Sequence, residues 1–293
     1  MAVTMIEAKP VLSVGAELGE GPVWIERDRA LWFVDIKAPR IHRFDPATGA
    51  HDSWPAPTHV GWILPASDGG LVVGLSDGLH RFDPATGAFA PLATIEPDLP
   101  DNRLNDATVD RAGRIWFGSM DNREAAASGR FYRLAGGMVQ DTGIAPTEIT
   151  NGPAVSPDGT TLYAVDTLAR TIDAYEVTAD GELARQRRFL TIDPAQGHPD
   201  GVSTDAEGGV WVGFYGGWAA RRYDASGTLT HEVRFPAANV TKVALGGADG
   251  RTAFATTARQ GLDAAALAAQ PLAGDLFTFP VDISAAPACE ARL

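Results

Sequence analysis

Six positions in this chain sit at a nearly constant distance ahead of six short β-rich runs. Glu20, Gly61, Asn105, Asn151, Asp200 and Thr241 each precede such a run by ten or eleven residues. Four of the six carry a carboxylate or carboxamide oxygen, and three stand before glycine: Glu20-Gly21-Pro22, Asn151-Gly152-Pro153 and Asp200-Gly201-Val202. Taken singly, Asp or Asn before Gly reads as turn chemistry. A shared position in a repeat changes the reading, because equivalent positions converge in space. Glu20, Asn151 and Asp200 then form a hard oxygen donor set suited to one divalent ion: Ca²⁺, Mg²⁺, Mn²⁺, Zn²⁺ or Fe²⁺. Carboxylates forced together need a compensating cation. Three protein ligands leave coordination positions for water and substrate.

The elements that position these residues follow from the repeat. The six runs begin at Leu31, Leu71, Ile115, Leu162, Val210 and Thr252, spaced 40, 44, 47, 48 and 42 residues apart. Each follows a turn cluster such as Asp68-Gly69-Gly70 or Asp158-Gly159, which in turn follows another short apolar run. That pattern is a hairpin repeated six times. A period of this length with four strands per unit predicts an all-β, six-bladed β-propeller around a central channel, as a single domain over 1–293. Phe44-Asp45-Pro46-Ala47-Thr48-Gly49-Ala50 recurs 38 residues later at Phe82 to Ala88, with a weaker copy at Tyr223 to Gly227. Pro presets φ and Gly accepts positive φ, so these are turns at equivalent places in different blades. The Ala-rich stretch Leu262 to Gln270 is the one helical candidate, placed in a late loop.

Composition narrows the function class. Of 293 residues 45% are hydrophobic and 21% charged, as in an ordinary globular protein. The net charge of −13 is opposite to a nucleic-acid-binding footprint. No apolar run reaches membrane-span length, and Met1 to Pro10 lacks a signal-peptide core. The single cysteine, Cys289, allows no intramolecular disulfide. The expectation is a cytoplasmic monomer with no nucleic-acid or membrane partner.

Glu20-Gly21-Pro22, Arg103-Leu104-Asn105-Asp106, Gly118-Ser119-Met120, Asn151-Gly152-Pro153, Pro199-Asp200-Gly201 and Leu272-Ala273-Gly274-Asp275 occur in an order and spacing that resembles the SMP-30/gluconolactonase (regucalcin) family, its bacterial aldonolactonases in particular. The resemblance covers nearly the whole chain. It implies a six-bladed propeller with one divalent cation on Glu20, Asn151 and Asp200, substrate contacts from Arg103 and Asn105, and Asp200 as general base. Some relatives carry a substrate-contacting Glu after the Gly-x-Met segment. Here Asp121 and Glu124 both lie near that point, and Asp121 is taken as the contact. The expected chemistry is hydrolysis of a small sugar lactone, with the cation polarising the carbonyl, Arg103 stabilising the oxyanion and Asp200 taking the proton of water. The competing readings are a non-enzymatic calcium- or partner-binding propeller and a hydrolase for phosphoesters or larger lactones.

Other motifs read as structural. Gly74-Leu75-Ser76-Asp77-Gly78 matches the serine-hydrolase elbow but lies between two strands, where that elbow needs a helix to follow. His198 lies near Asp200, and no histidine pair shows zinc spacing. Of Trp24, Trp62, Phe214, Tyr215 and Trp218, one or two are expected at the ligand and the rest between blades.

Overall fold

The computed structural model describes residues 2–293. The strands form six sheets arranged as the blades of a propeller. Their innermost strands are Gly19–Ile25, Val60–Pro65, Asn102–Val109, Thr150–Val155, His198–Thr204 and Val240–Gly246 in blades 1 to 6. Each packs against the next, and the sixth packs against the first, which closes the ring around a channel. Every innermost strand pairs antiparallel with one of the six β-rich runs read from the sequence, Ala30–Asp35, Leu71–Leu75, Ile115–Asp121, Thr161–Asp166, Val210–Tyr215 and Thr252–Thr257.

Alternation explains why these runs are apolar on both faces. In Leu31-Trp32-Phe33-Val34, Leu31 and Phe33 enter the layer between blades 1 and 6, while Trp32 and Val34 enter the layer between blades 1 and 2. In Ile115-Trp116-Phe117, Trp116 faces blade 4 and its two neighbours face blade 2. Successive side chains of a strand point to opposite faces, and a blade has a neighbour on each face. The core is therefore six interblade layers rather than one central mass. Each large side chain sealed in such a layer contributes about 1.5–3 kcal/mol.

Ring closure uses the N-terminal segment, which the repeat alone did not assign. Lys9–Leu12 pairs antiparallel with Leu276–Pro280 and supplies the outer strand of blade 6. Thr4–Glu7 runs parallel to Leu229–Arg234 and adds a fifth strand to blade 5. At the other terminus, residues 284–292 cross the face carrying the turns that follow the innermost strands. Hydrogen bonds to Ala206, Gly250, Pro65, Ser67 and Gly113 hold them there. The expected helix forms at Ala264–Ala269, capped by Asp263, which accepts from the Ala266 N–H at 2.8 Å. Ser76 and Asp77 form the hairpin turn between Leu71–Leu75 and Gly78–Asp83, so Ser76 is not on a nucleophile elbow. Asp45 and Asp83 cap equivalent turns, each accepting a backbone N–H two residues on at 2.9 Å. No helix among the described residues is long and apolar enough to cross a membrane.

Buried aspartates in the turn after an innermost strand pin a tryptophan of the second strand of the same blade. Asp205 is fully buried and accepts from Trp211 Nε1 at 2.9 Å, from Arg222 Nε at 2.6 Å and from the Gly209 N–H at 3.0 Å. Asp110 holds Trp116 Nε1 at 2.8 Å and Arg114 Nε at 2.6 Å in the same way. Replacing Asp205 by Ala leaves the buried Arg222 guanidinium with one carboxylate, the exposed Glu207 at 3.3 Å. The expected loss is about 3–5 kcal/mol, read as a lower urea midpoint; an unchanged midpoint would contradict this role.

Candidate metal centre and active site

All six innermost strands are irregular at the same level. The pairing shifts register between Glu20 and Val23, Val60 and Trp62, Leu104 and Ala107, Asn151 and Ala154, Pro199 and Val202, and Val240 and Lys242. Each shift is a β-bulge, and a bulge re-aims side chains. Gly21 and Gly152 take positive φ in two of them, 54° and 70°, which Gly adopts without a Cβ penalty. The six positions counted from the sequence all lie at or beside these bulges, so Glu20, Asn151 and Asp200 belong to one ring at one mouth of the channel.

The remaining three ring positions have different occupations. Gly61 carries no side chain because an added Cβ would lie 2.5 Å from the Leu104 carbonyl oxygen of blade 3. Thr241 donates from its hydroxyl to the Gly19 carbonyl at 2.7 Å and ties blade 6 to blade 1. Asn105 is a connector. Its amide donates to the Thr150 carbonyl at 2.6 Å and to Asn151 Oδ1 at 3.1 Å, and its Oδ1 accepts from Arg103 Nη1 at 2.6 Å. Asn151 passes the chain onward from Nδ2 to Thr167 Oγ1 at 2.9 Å. Its Oδ1 accepts from Asn105 and keeps a second lone pair that a cation would use.

The electrostatics fit a cation. Burial raises the Glu20 carboxyl to about 8; the Asp106 charge adds to this, while the Gly21 N–H, Lys242 and Arg103 oppose it. Burial also raises Asp200 well above the usual carboxylate range, with Glu20 and Asp106 next in effect. Lys242 and Arg103 supply the nearby positive charge, and Lys242 is already bound by Asp106 at 2.6 Å. Two buried, mutually repelling carboxylates beside an amide oxygen are a donor set that a divalent ion would relieve. Among the described residues no group of three or more His, Cys, Asp or Glu is arranged to hold a metal, so a three-ligand site depends on the Asn151 oxygen.

A pH dependence follows. Carboxyls raised in the folded state stabilise it fully below the unfolded value, and that contribution is lost as pH rises through the folded value. Metal-free protein is therefore expected to lose thermal stability between about pH 5 and pH 8, the window set by Glu20. Added Mn²⁺ should flatten the profile and release protons on binding. Calorimetric scans with and without chelator measure it, and parallel profiles in the two states would contradict the site.

Around the mouth, Arg103 is buried, with burial lowering its guanidinium to about 10 against the opposing charges of Glu124, Glu20 and Asp200. Its Nε donates to Asn122 Oδ1 at 3.1 Å, an atom that also accepts from Lys37 Nζ at 2.8 Å. Asp121 points into its own loop, where backbone N–H groups of Arg123, Ala125 and Ala126 donate to it at 3.0–3.1 Å. Those contacts, more than the charge of Arg123, keep its carboxyl below the usual value. Glu124 stands at φ 57° and accepts from Gln260 Nε2 at 3.3 Å. His198 is engaged on both ring nitrogens, by Thr167 O at 3.2 Å and Arg170 Nη2 at 2.8 Å. Trp62 and Phe214 are buried between blades, and Trp24 stacks on Phe254. Tyr215 donates to the Gln260 carbonyl, and its hydroxyl is raised by burial and then by the charge of Asp200. Trp218 is exposed.

Sequence reading assigned no role to Lys37, Asn122, Asp106 or Lys242, although Asp106 closes the Arg103-Leu104-Asn105-Asp106 motif. The last two did leave a signal, since each directly follows a ring position, Asn105 or Thr241. Beneath the ring lies a cavity of about 460 Å³ lined by residues such as Val23, Ile63, Val155, Val243 and Cys289. The Cys289 thiol is raised by burial and so is not an activated nucleophile.

Residues 18–259 match the family description SMP-30/gluconolactonase/LRE-like region. The chain belongs to this family. Relatives within or close to the family include an L-arabinolactonase of Azospirillum brasilense, 37% identical over 264 residues, covering 89% of this chain and 87% of the relative. A pentonolactonase of Haloferax volcanii is 33% identical, with coverage of 85% and 84%. A solved structure of a calcium-binding regucalcin from Agrobacterium tumefaciens superposes with a TM-score of 0.95 at 29% identity, over 100% of both chains.

Proposed function

We propose that this chain hydrolyses a five- or six-carbon aldonolactone to its aldonic acid, with one divalent cation held by Glu20, Asn151 and Asp200. The observation that carries the reading is the hydrogen-bonded line from Arg103 through Asn105 to Asn151, which joins an anion-stabilising cation to the oxygen ligand set. The names of the relatives, L-arabinolactonase and pentonolactonase, support the substrate class.

A bound cation would supply Lewis-acid polarisation of the lactone carbonyl. The protein groups do the rest. Arg103 has Nη1 and Nε committed to Leu104 O, Asn105 and Asn122, which leaves Nη2 for the developing oxyanion or the product carboxylate. Asp200 takes the proton of the attacking water, its affinity set by burial that raises it and by the cationic charge that lowers it. Asn105 positions Arg103 and Asn151 rather than touching the sugar. Glu124, rather than Asp121, is the carboxylate that meets sugar hydroxyls, because Asp121 is spent on its loop.

The test is pH-stat hydrolysis of a panel of arabinono-, xylono-, glucono- and galactonolactones, after chelation and after return of single metals. Proton release that disappears on chelation and returns with one metal is expected. Rates no faster than spontaneous hydrolysis under every condition would refute the reading and favour a calcium-binding propeller, as the regucalcin likeness would then suggest.

A further inference from the structure

Beneath the ligand ring lie two charged side chains that the chemistry above does not use. Asp106 and Lys242 are buried, with side chains 1% and 7% exposed, and Lys242 Nζ donates to Asp106 Oδ1 at 2.6 Å. Asp106 Oδ1 also accepts the Ala107 N–H at 2.7 Å, and its Oδ2 accepts the Gly152 N–H at 3.1 Å. The pair spans the channel from blade 3 to blade 6 and reaches blade 4 through the residue after Asn151. The Lys242 stem lies on Gly201, the residue after Asp200. A Cβ there would fall 2.7–2.8 Å from its Cβ, Cγ and Cδ. One ion pair therefore touches the backbone next to two of the three candidate ligands.

Stability alone does not account for it. A buried ion pair is matched or exceeded by apolar residues of similar volume, and the six interblade layers of this ring are built from such residues. We propose that Asp106 and Lys242 are positioning residues that set the net charge under the cation. Lys242 cancels the third carboxylate, so that the cation meets two negative charges instead of three, while the pair pins the Asn151–Gly152 and Asp200–Gly201 bulges. The inference rests on the cation site proposed above and concerns how strongly that site binds. Ligand charge count tunes the affinity of oxygen sites.

The experiment is calorimetric titration of chelated protein with Mn²⁺ and, separately, Ca²⁺ at pH 8, with circular dichroism to check the fold. Lys242→Met should bind at least about tenfold tighter and Asp106→Asn at least about tenfold weaker, each about 1.4 kcal/mol in opposite directions. The double variant Asp106→Asn/Lys242→Met should return to within about threefold of the wild type, since its floor is neutral again. A purely structural brace predicts weaker binding in all three. Unchanged or weaker binding in Lys242→Met overturns the proposal, as does a double variant that binds more than about tenfold weaker or fails to fold. If the single variants do not fold, the double variant decides. A wild type that binds neither ion refutes the cation site itself, whereas wild-type binding with same-sign responses refutes only the charge balance.

Discussion

Asp200→Asn is expected to lower kcat for a sugar lactone by about 10²–10⁴-fold, the range for loss of a general base. The amide keeps one oxygen as a donor, so the cation should still bind, though more weakly. KM should change little, because the lost step is proton transfer rather than substrate contact. Stability of the metal-free variant should rise. Asp200 is buried and repelled by Glu20 and Asp106, and an amide removes that repulsion. Stopped-flow or pH-stat kinetics at saturating metal separate the effects. Retained turnover would remove Asp200 as the base while leaving it available as a ligand.

Glu20→Gln isolates the complementary role. Glu20 makes no hydrogen bond to Asp200, although its charge raises that carboxyl, and its Oε2 accepts the Gly21 N–H at 2.8 Å. Removing its charge halves the carboxylate charge of the ligand set. Cation affinity is expected to fall at least about tenfold, or about 1.4 kcal/mol. Activity should then be recoverable by raising the metal concentration, which Asp200→Asn does not allow. The rise of Glu20 to about 8 also predicts that the metal-free variant loses part of the pH dependence of stability between about pH 5 and pH 8. Unchanged metal affinity in Glu20→Gln would displace Glu20 from the ligand set.

The propeller was legible because its signals are local and repeated. Runs such as Leu31 to Asp35 and Ile115 to Ser119 alternate between two interblade layers, and the turn clusters mark their starts. The ring of candidate ligands was legible for the same reason: a fixed count back from each run lands on the same bulge in every blade. What those residues do at the bulge was not. Asn105 and Asn151 look alike in sequence, yet Asn105 both accepts and donates along the hydrogen-bond chain, whereas Asn151 Oδ1 accepts from Asn105 and is the oxygen proposed for a cation. Asp121 and Glu124 are separated by backbone conformation, since one carboxylate caps its loop and the other stands at a left-handed position facing Gln260.

Residue types, their period and their order thus determined the fold, the ring level and the oxygen character of the site. Tertiary structure alone decided the partnerships, such as Lys242 with Asp106 across 136 residues of chain and Lys37 with Asn122 across 85. The physical reason is range. Strand alternation and turn chemistry are set by neighbours along the chain, whereas the partner of a buried charge depends on which distant segments the closed ring brings together. A carboxylate or an ammonium in sequence carries no mark of that partner until burial removes water as the alternative.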